Sequence, residues 1–132
     1  MSLTHDLPHF KLSEFKHPEL VDAEAAQFLE RIRSAYAHSL VLTSDARTRA
    51  ENQTLPGHSD TSLHLLGRAF DLRWSFDQGK GTLWQFVQAV FTAASATDKG
   101  IELEIVNSST DQHVHIGLFP DSRPHRLLVR AE

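Results

Sequence analysis

The sequence predicts a single α+β domain, with helices packed on a small, mostly antiparallel sheet. Two stretches repeat apolar residues at helical spacing, and short β-type runs lie between and after them. The last two of these runs alternate around a polar turn, as a hairpin does. No repeat, low-complexity run or linker interrupts the 132 residues, a length that suits one core. The domain is expected to occupy 1–132, with its core at about 10–119 and a C-terminal tail at 120–132.

The first helix is expected from Pro18 to His38, where Val21, Ala25, Phe28, Ile32 and Ala35 form a core stripe. Ser13-Glu14-Phe15 ahead of it reads as an ordered entry segment. Leu40 to Thr43 is a short apolar β-type run. Ser44 to Thr61 is polar and carries Asn52, Pro56 and Gly57, so it reads as a long loop of the kind that often serves a site. Gly67 to Trp74 reads as a strand, with Ala69, Asp71 and Arg73 on one face and Phe70, Leu72 and Trp74 on the other. Gly79 to Gly81 interrupts the chain. Thr82 is a suitable N-cap for a second helix reaching Ala96, striped by Leu83, Phe86, Val87, Val90, Phe91 and Ala94. Ile101 to Val106 and Gln112 to Phe119 then form the hairpin around Asn107-Ser108-Ser109-Thr110-Asp111.

Composition narrows function. The net charge is −4, whereas a protein that grips phosphates is usually basic, so no nucleic-acid partner is expected. There is no cysteine, which excludes disulfides, thiolate metal sites and a cysteine nucleophile. Met1 to Phe10 contain no long apolar run, so neither a signal peptide nor a membrane span is visible. The compartment stays open: cytosolic, delivered by phage, or exported by another route or with its leader removed. The expected state is a monomer without membrane contact.

Nine histidines are many for this length. His5, His9, His17 and His38 have no carboxylate or histidine at ligand spacing and are expected to be structural or solvated. His58 sits in the polar turn Pro56-Gly57-His58-Ser59-Asp60, near a possible site, and His125 lies in the tail. His64, His113 and His115 carry more. Zinc without thiolate takes imidazole and carboxylate ligands, and a catalytic site keeps a fourth position open. Ser62 to Asp71 offers one of each, His64 and Asp71. Their seven-residue separation exceeds one helical turn and suits a chain that doubles back before entering a strand. Gly67 lets the backbone bend, and Ala69 keeps the metal-facing side small. The third ligand would come from the hairpin, where either His113 or His115 could bind while its neighbour borders the open position.

Ser62-x-His64-x-x-Gly67-x-Ala69-x-Asp71, followed by His113-x-His115, resembles the zinc D-Ala-D-Ala carboxypeptidases and their relatives, the L-Ala-D-Glu endopeptidases and the hedgehog signalling domain. Thr43-Ser44-Asp45-Ala46-Arg47, with Asn52 beyond, is similar to the family's Ser-Gly-x-Arg segment. Ser13-Glu14-Phe15 resembles the N-terminal anchor of one branch, so the resemblance spans about residues 10 to 119. It implies the hedgehog/DD-peptidase fold, one Zn²⁺ held by His64, Asp71 and His115, and Arg47 positioning a substrate carbonyl or carboxylate. The implied activity is hydrolysis of peptide bonds in peptidoglycan stem peptides.

The sequence departs from the family at the general base. Many members place Glu or Asp three residues before the last ligand; here Gln112 stands there. The hedgehog-like branch uses Glu six residues before; here that is Ser109. The nearest carboxylate, Asp111, is the first expectation for the base, though it is also an ordinary turn residue. Glu104 comes second, and Glu102 shares its face, which could equally be solvated. His113 is expected to stabilise a developing oxyanion. Asp45 stands where many relatives have Gly, which bears on the loop presenting Arg47, while Arg68 and Arg73 are expected as surface cations. Two classes of function remain: a zinc peptidase of the cell wall, with catalytic Arg47, Asp111 and His113, or a zinc-stabilised binding module with a degenerate site.

Overall fold

A computed structural model describes residues 2–56, 59, 61–77 and 81–131. His58 and most of its turn, and Gly79 with Lys80, lie outside the described residues. Five strands form one sheet: β1 (Leu42–Ser44), β2 (Ala69–Arg73), β3 (Ile101–Asn107), β4 (Gln112–Leu118) and β5 (Arg126–Ala131). Their order is β1-β2-β4-β3-β5. All neighbours are antiparallel except β3 and β5, which run parallel. The helices are α1 (Ala23–Tyr36), the short α2 (Arg49–Gln53) and α3 (Leu83–Ala94). Helices on a mostly antiparallel sheet are the α+β architecture expected from sequence.

α1 starts later than expected because Asp22 caps it, its carboxylate accepting from the Ala25 N–H at 3.1 Å. Pro18–Leu20 form a separate 3-10 turn. Ala37 ends the helix at a φ of 64°. Val21, Ala25, Phe28 and Ile32 are buried as expected, but Ala35 is exposed and Tyr36 takes its place, four residues beyond Ile32. In α3 the core face is Phe86, Ala89, Val90 and Ala93, so Phe91 and Trp84 face outward. Thr82 caps it, with Gln85 completing a capping box.

The hairpin pairs Ile101 with Leu118 at one end and Asn107 with Gln112 at the other. β2 lies on the other side of β4, pairing Asp71 with His115 and Arg73 with His113. Phe70, Leu72, Leu103, Val114 and Ile116 point into the core beneath the helices. The opposite face is polar. Two segments differ from expectation: the loop after Ser44 contains α2, whose Thr48 and Glu51 form a capping box, and the segment expected as a tail supplies β5, whose Leu127-Leu128-Val129 run pairs along β3.

Candidate metal centre

Each site residue is delivered by a separate local device. Ser62 accepts from the His64 N–H and starts the 3-10 turn Leu63–Leu66. Gly67 ends that turn at a φ of 68°, where a side chain would be strained. A Cβ there would also sit 1.9 Å from the Leu20 carbonyl oxygen. The chain therefore reverses after His64 and enters β2 with Asp71 on the polar face. β4 supplies His115 directly opposite Asp71.

Ring orientation is set by the partners of the far nitrogens. His64 is buried, and its Nδ1 lies 2.6 Å from the Asp45 carbonyl oxygen, which leaves Nε2 facing Asp71 Oδ1 at 3.4 Å. His115 Nε2 lies 2.6 Å from Glu102 Oε1, which leaves Nδ1 facing the same Asp71 oxygen at 2.9 Å. The ring centroids are 5.1 Å apart. One ligand atom from each of His64, Asp71 and His115 lies within 4.8 Å of the others. Two imidazole nitrogens and a carboxylate oxygen, with no thiolate, fit a three-ligand zinc site. Both histidines carry the outer hydrogen bond to a carbonyl or carboxylate typical of metal-binding imidazoles.

Burial pushes the Asp71 carboxyl up, but hydrogen bonds from His115 and His64 outweigh it and hold it well below the usual range. Burial likewise pushes His115 down, yet Asp71 and Glu102 together carry it up to about 9. The hydrogen bond from His115 holds Glu102 below its ordinary value, against burial and with help from Arg126. The centre is thus a compact group of carboxylates and imidazoles, in which a metal ion could take the place of the proton His115 holds toward Asp71.

The centre opens into a cleft of about 770 Å³, whose lining includes Arg47, Glu104, His113 and Arg130. Arg47 donates from NH1 to Asn52 Oδ1 at 3.0 Å, and Asn52 Nδ2 in turn donates to the Ser59 carbonyl. The Arg47 N–H also bonds the His64 carbonyl oxygen at 3.0 Å, joining the two segments of the site. Asp45 is buried; its carboxylate accepts from the Lys16 and His17 N–H groups and so ties the N-terminal segment to the Arg47 loop.

Asp111 sits exposed at the hairpin turn, its carboxylate 2.9 Å from His113 Nδ1. Glu104 stands opposite His115 in the β3–β4 register, and its Oε1 pairs with Arg130 Nη2 at 3.1 Å. Gln112 turns to Asn107, donating to its Oδ1 at 2.7 Å. Arg68 needs correction: it is buried rather than a surface cation. Its guanidinium reaches Asp22 and Glu24, each at 2.7 Å, and the carbonyls of Leu118 and Phe119. Those partners lie up to 51 residues away, beyond the reach of local pattern. Arg73 is exposed, as expected. His9 finds a distant partner in Glu30, and His17 finds one in Glu51 besides its near neighbour Glu19 at 3.5 Å.

Arg126 and Arg130 carry little signal as residues of a tail; the apolar run between them was the available sign of a strand. No helix among the described residues is long and apolar enough to cross a membrane. No curated protein and no solved structure matches the chain. Residues 8–117 match the family described as Peptidase M15, a span that takes in the His64 turn, Asp71 and His115. On that match over most of its length, the chain belongs to the Peptidase M15 family.

Proposed function

We propose that this chain is a zinc-dependent peptidase that hydrolyses peptide bonds in peptidoglycan stem peptides, at a D-Ala-D-Ala or L-Ala-D-Glu junction. The observation that carries the reading is the His64-Asp71-His115 group at the base of an open cleft in a Peptidase M15 chain. A zinc ion held there supplies a Lewis acid that polarises a carbonyl and makes water more acidic.

The remaining chemistry belongs to the chain. Arg47 presents a planar fork to a substrate carbonyl or carboxylate, with Asn52 fixing one arm. Glu104 accepts the proton of the attacking water and returns it to the leaving amine. It is favoured over Asp111 because it lines the cleft and stands opposite His115, whereas Asp111 is exposed at the hairpin turn. His113 donates to the oxyanion, and Asp111 orients its ring.

The test is release of amino acids or peptides from peptidoglycan by the zinc-loaded protein. Glu104→Gln is expected to lower the rate by about 10²- to 10⁴-fold with zinc retained. Asp111→Asn should cost less, and Arg47→Lys should impair turnover without affecting folding. If Asp111→Asn shows the larger loss, the base is Asp111. Gln112 favours the second reading, a zinc-stabilised binding module. A wild type that holds zinc but is inert on stem peptides, and stays inert as Gln112→Glu, would select it.

A further inference from the structure

The family match ends at residue 117, yet β5 at 126–131 reaches the metal centre. Arg126 stands beside Glu102 in the parallel β3–β5 register, and its NH1 donates to Glu102 Oε2 at 3.0 Å. The other oxygen, Oε1, lies 2.6 Å from His115 Nε2. Glu102 is thereby held at both oxygens, its side chain only 14% exposed although Arg126 itself is 55% exposed. We propose that Glu102 and Arg126 form a positioning pair for His115: Arg126 fixes the carboxylate, the carboxylate holds Nε2–H, and Nδ1 is thereby aimed at Asp71 and the metal position.

The physical case rests on what the ring would do without the pair. An imidazole turns about two side-chain bonds, and a ligand free to turn loses entropy on binding metal. A carboxylate on the far nitrogen removes that freedom and selects the tautomer whose near nitrogen is bare. Glu102 performs for His115 what the Asp45 carbonyl performs for His64, but the backbone carbonyl needs no counter-ion. The carboxylate does, because a side chain on β3 can swing away from β4, and Arg126 supplies the second tether.

Arg130 serves as an internal control. It lies on the same strand and face, is 64% exposed, and pairs with Glu104 rather than Glu102. Simple charge repulsion says that removing either arginine should tighten the binding of a dication. Positioning says that removing Arg126 alone should weaken it.

The proposal rests on the zinc reading above, and the experiment separates the two. Zinc dissociation constants are measured by competition with a chromophoric chelator for wild type, Arg126→Ala, Arg126→Lys, Glu102→Gln, Glu102→Ala and Arg130→Ala. Metal-free samples are followed in parallel by NMR of the His115 ring N–H. Glu102→Ala is expected to weaken zinc about 10- to 100-fold. Arg126→Ala should weaken it by about 3- to 10-fold, with partial recovery in Arg126→Lys. Glu102→Gln, which keeps an acceptor oxygen, should lose less than Glu102→Ala, and Arg130→Ala should not weaken binding. In the metal-free protein the slowly exchanging Nε2–H signal should vanish in Glu102→Ala and exchange faster in Arg126→Ala. Unchanged or tighter zinc in Arg126→Ala, or an unaltered ring signal, overturns the pair. A wild type that binds no zinc but shows this ring behaviour overturns the zinc reading and leaves the pair standing.

Discussion

Phe70 and Asp71 are neighbours in β2 and face opposite ways. Phe70 lies beneath the helices with Leu72, Val114 and Ile116, all fully buried. Asp71 lies on the other face with His115, Glu102 and Glu104, each half-buried. On the first face a side chain is worth the apolar area it hides and the cavity it would leave. On the second each carboxylate is worth the partner beside it: His115 and His64 for Asp71, His115 and Arg126 for Glu102, Arg130 for Glu104. The difference teaches that stability and chemistry are separated here by the pleat alone, one residue apart along a strand.

The largest effect should come from breaking that comparison at both faces. Phe70→Ala is expected to cost about 3–5 kcal/mol in denaturant unfolding, whether or not zinc is present. His115→Ala should abolish zinc binding and lower metal-free stability by clearly less than Phe70→Ala does. Adding zinc should raise the unfolding midpoint of wild type and leave that of His115→Ala unmoved, because only a ligand bound to the folded state stabilises it. Equal destabilisation of the two metal-free variants would show that the cleft face is structural as well.

A smaller effect tests the joint between the faces. Gly67 lies between the His64 turn and β2, and its carbonyl accepts from the Asp22 N–H at 2.9 Å. Gly67→Ala adds a Cβ at a positive φ and drives it into the Leu20 carbonyl. Strain and displacement together should cost roughly 2–4 kcal/mol. Because the turn sets His64 against Asp71, zinc should bind more weakly as well. Lost stability with unchanged zinc affinity would mean that His64 is placed by Asp45 and Ser62 without help from Gly67.

Alternation made β2 and the hairpin legible, since a period of two puts His113 and His115 on one face whatever the partner strand is. The ligand motif was legible for the same local reason: the turn after His64 is written in Ser62 and Gly67. What stayed hidden depends on distant partners. Arg68 reads as a surface charge until Asp22, Glu24 and two carbonyls are brought round it. Glu102 reads as one acid of a solvated strand until His115 and Arg126 meet it from neighbouring strands. The helical stripes were half legible: their period was clear, but the face that meets the sheet was not, so Ala35 and Phe91 lie outside the core.

The smallest expected effect asks whether charge away from the cleft is structural. Glu24 accepts from Arg68 NH2 at 2.7 Å and from Lys99 Nζ at 3.1 Å. These two cations hold its carboxyl below the ordinary 4.5, with slight burial opposing them. A depressed carboxylate stabilises the fold above its unfolded value, and that stability is lost as pH falls through the folded one. Glu24→Gln should therefore cost less than about 1 kcal/mol at neutral pH, because the side chain is nearly half exposed and its pairs are screened by solvent. The difference from wild type should begin to shrink as the pH falls below about 4.5, where the unfolded carboxyl takes up its proton, and should vanish once the pH is below the folded value. Denaturant titrations of both proteins from neutral pH into the acid range would measure it. A difference that stays constant across that range would assign the role of Glu24 to hydrogen bonding rather than charge, and Arg68 would then owe its burial to the Leu118 and Phe119 carbonyls and to Asp22.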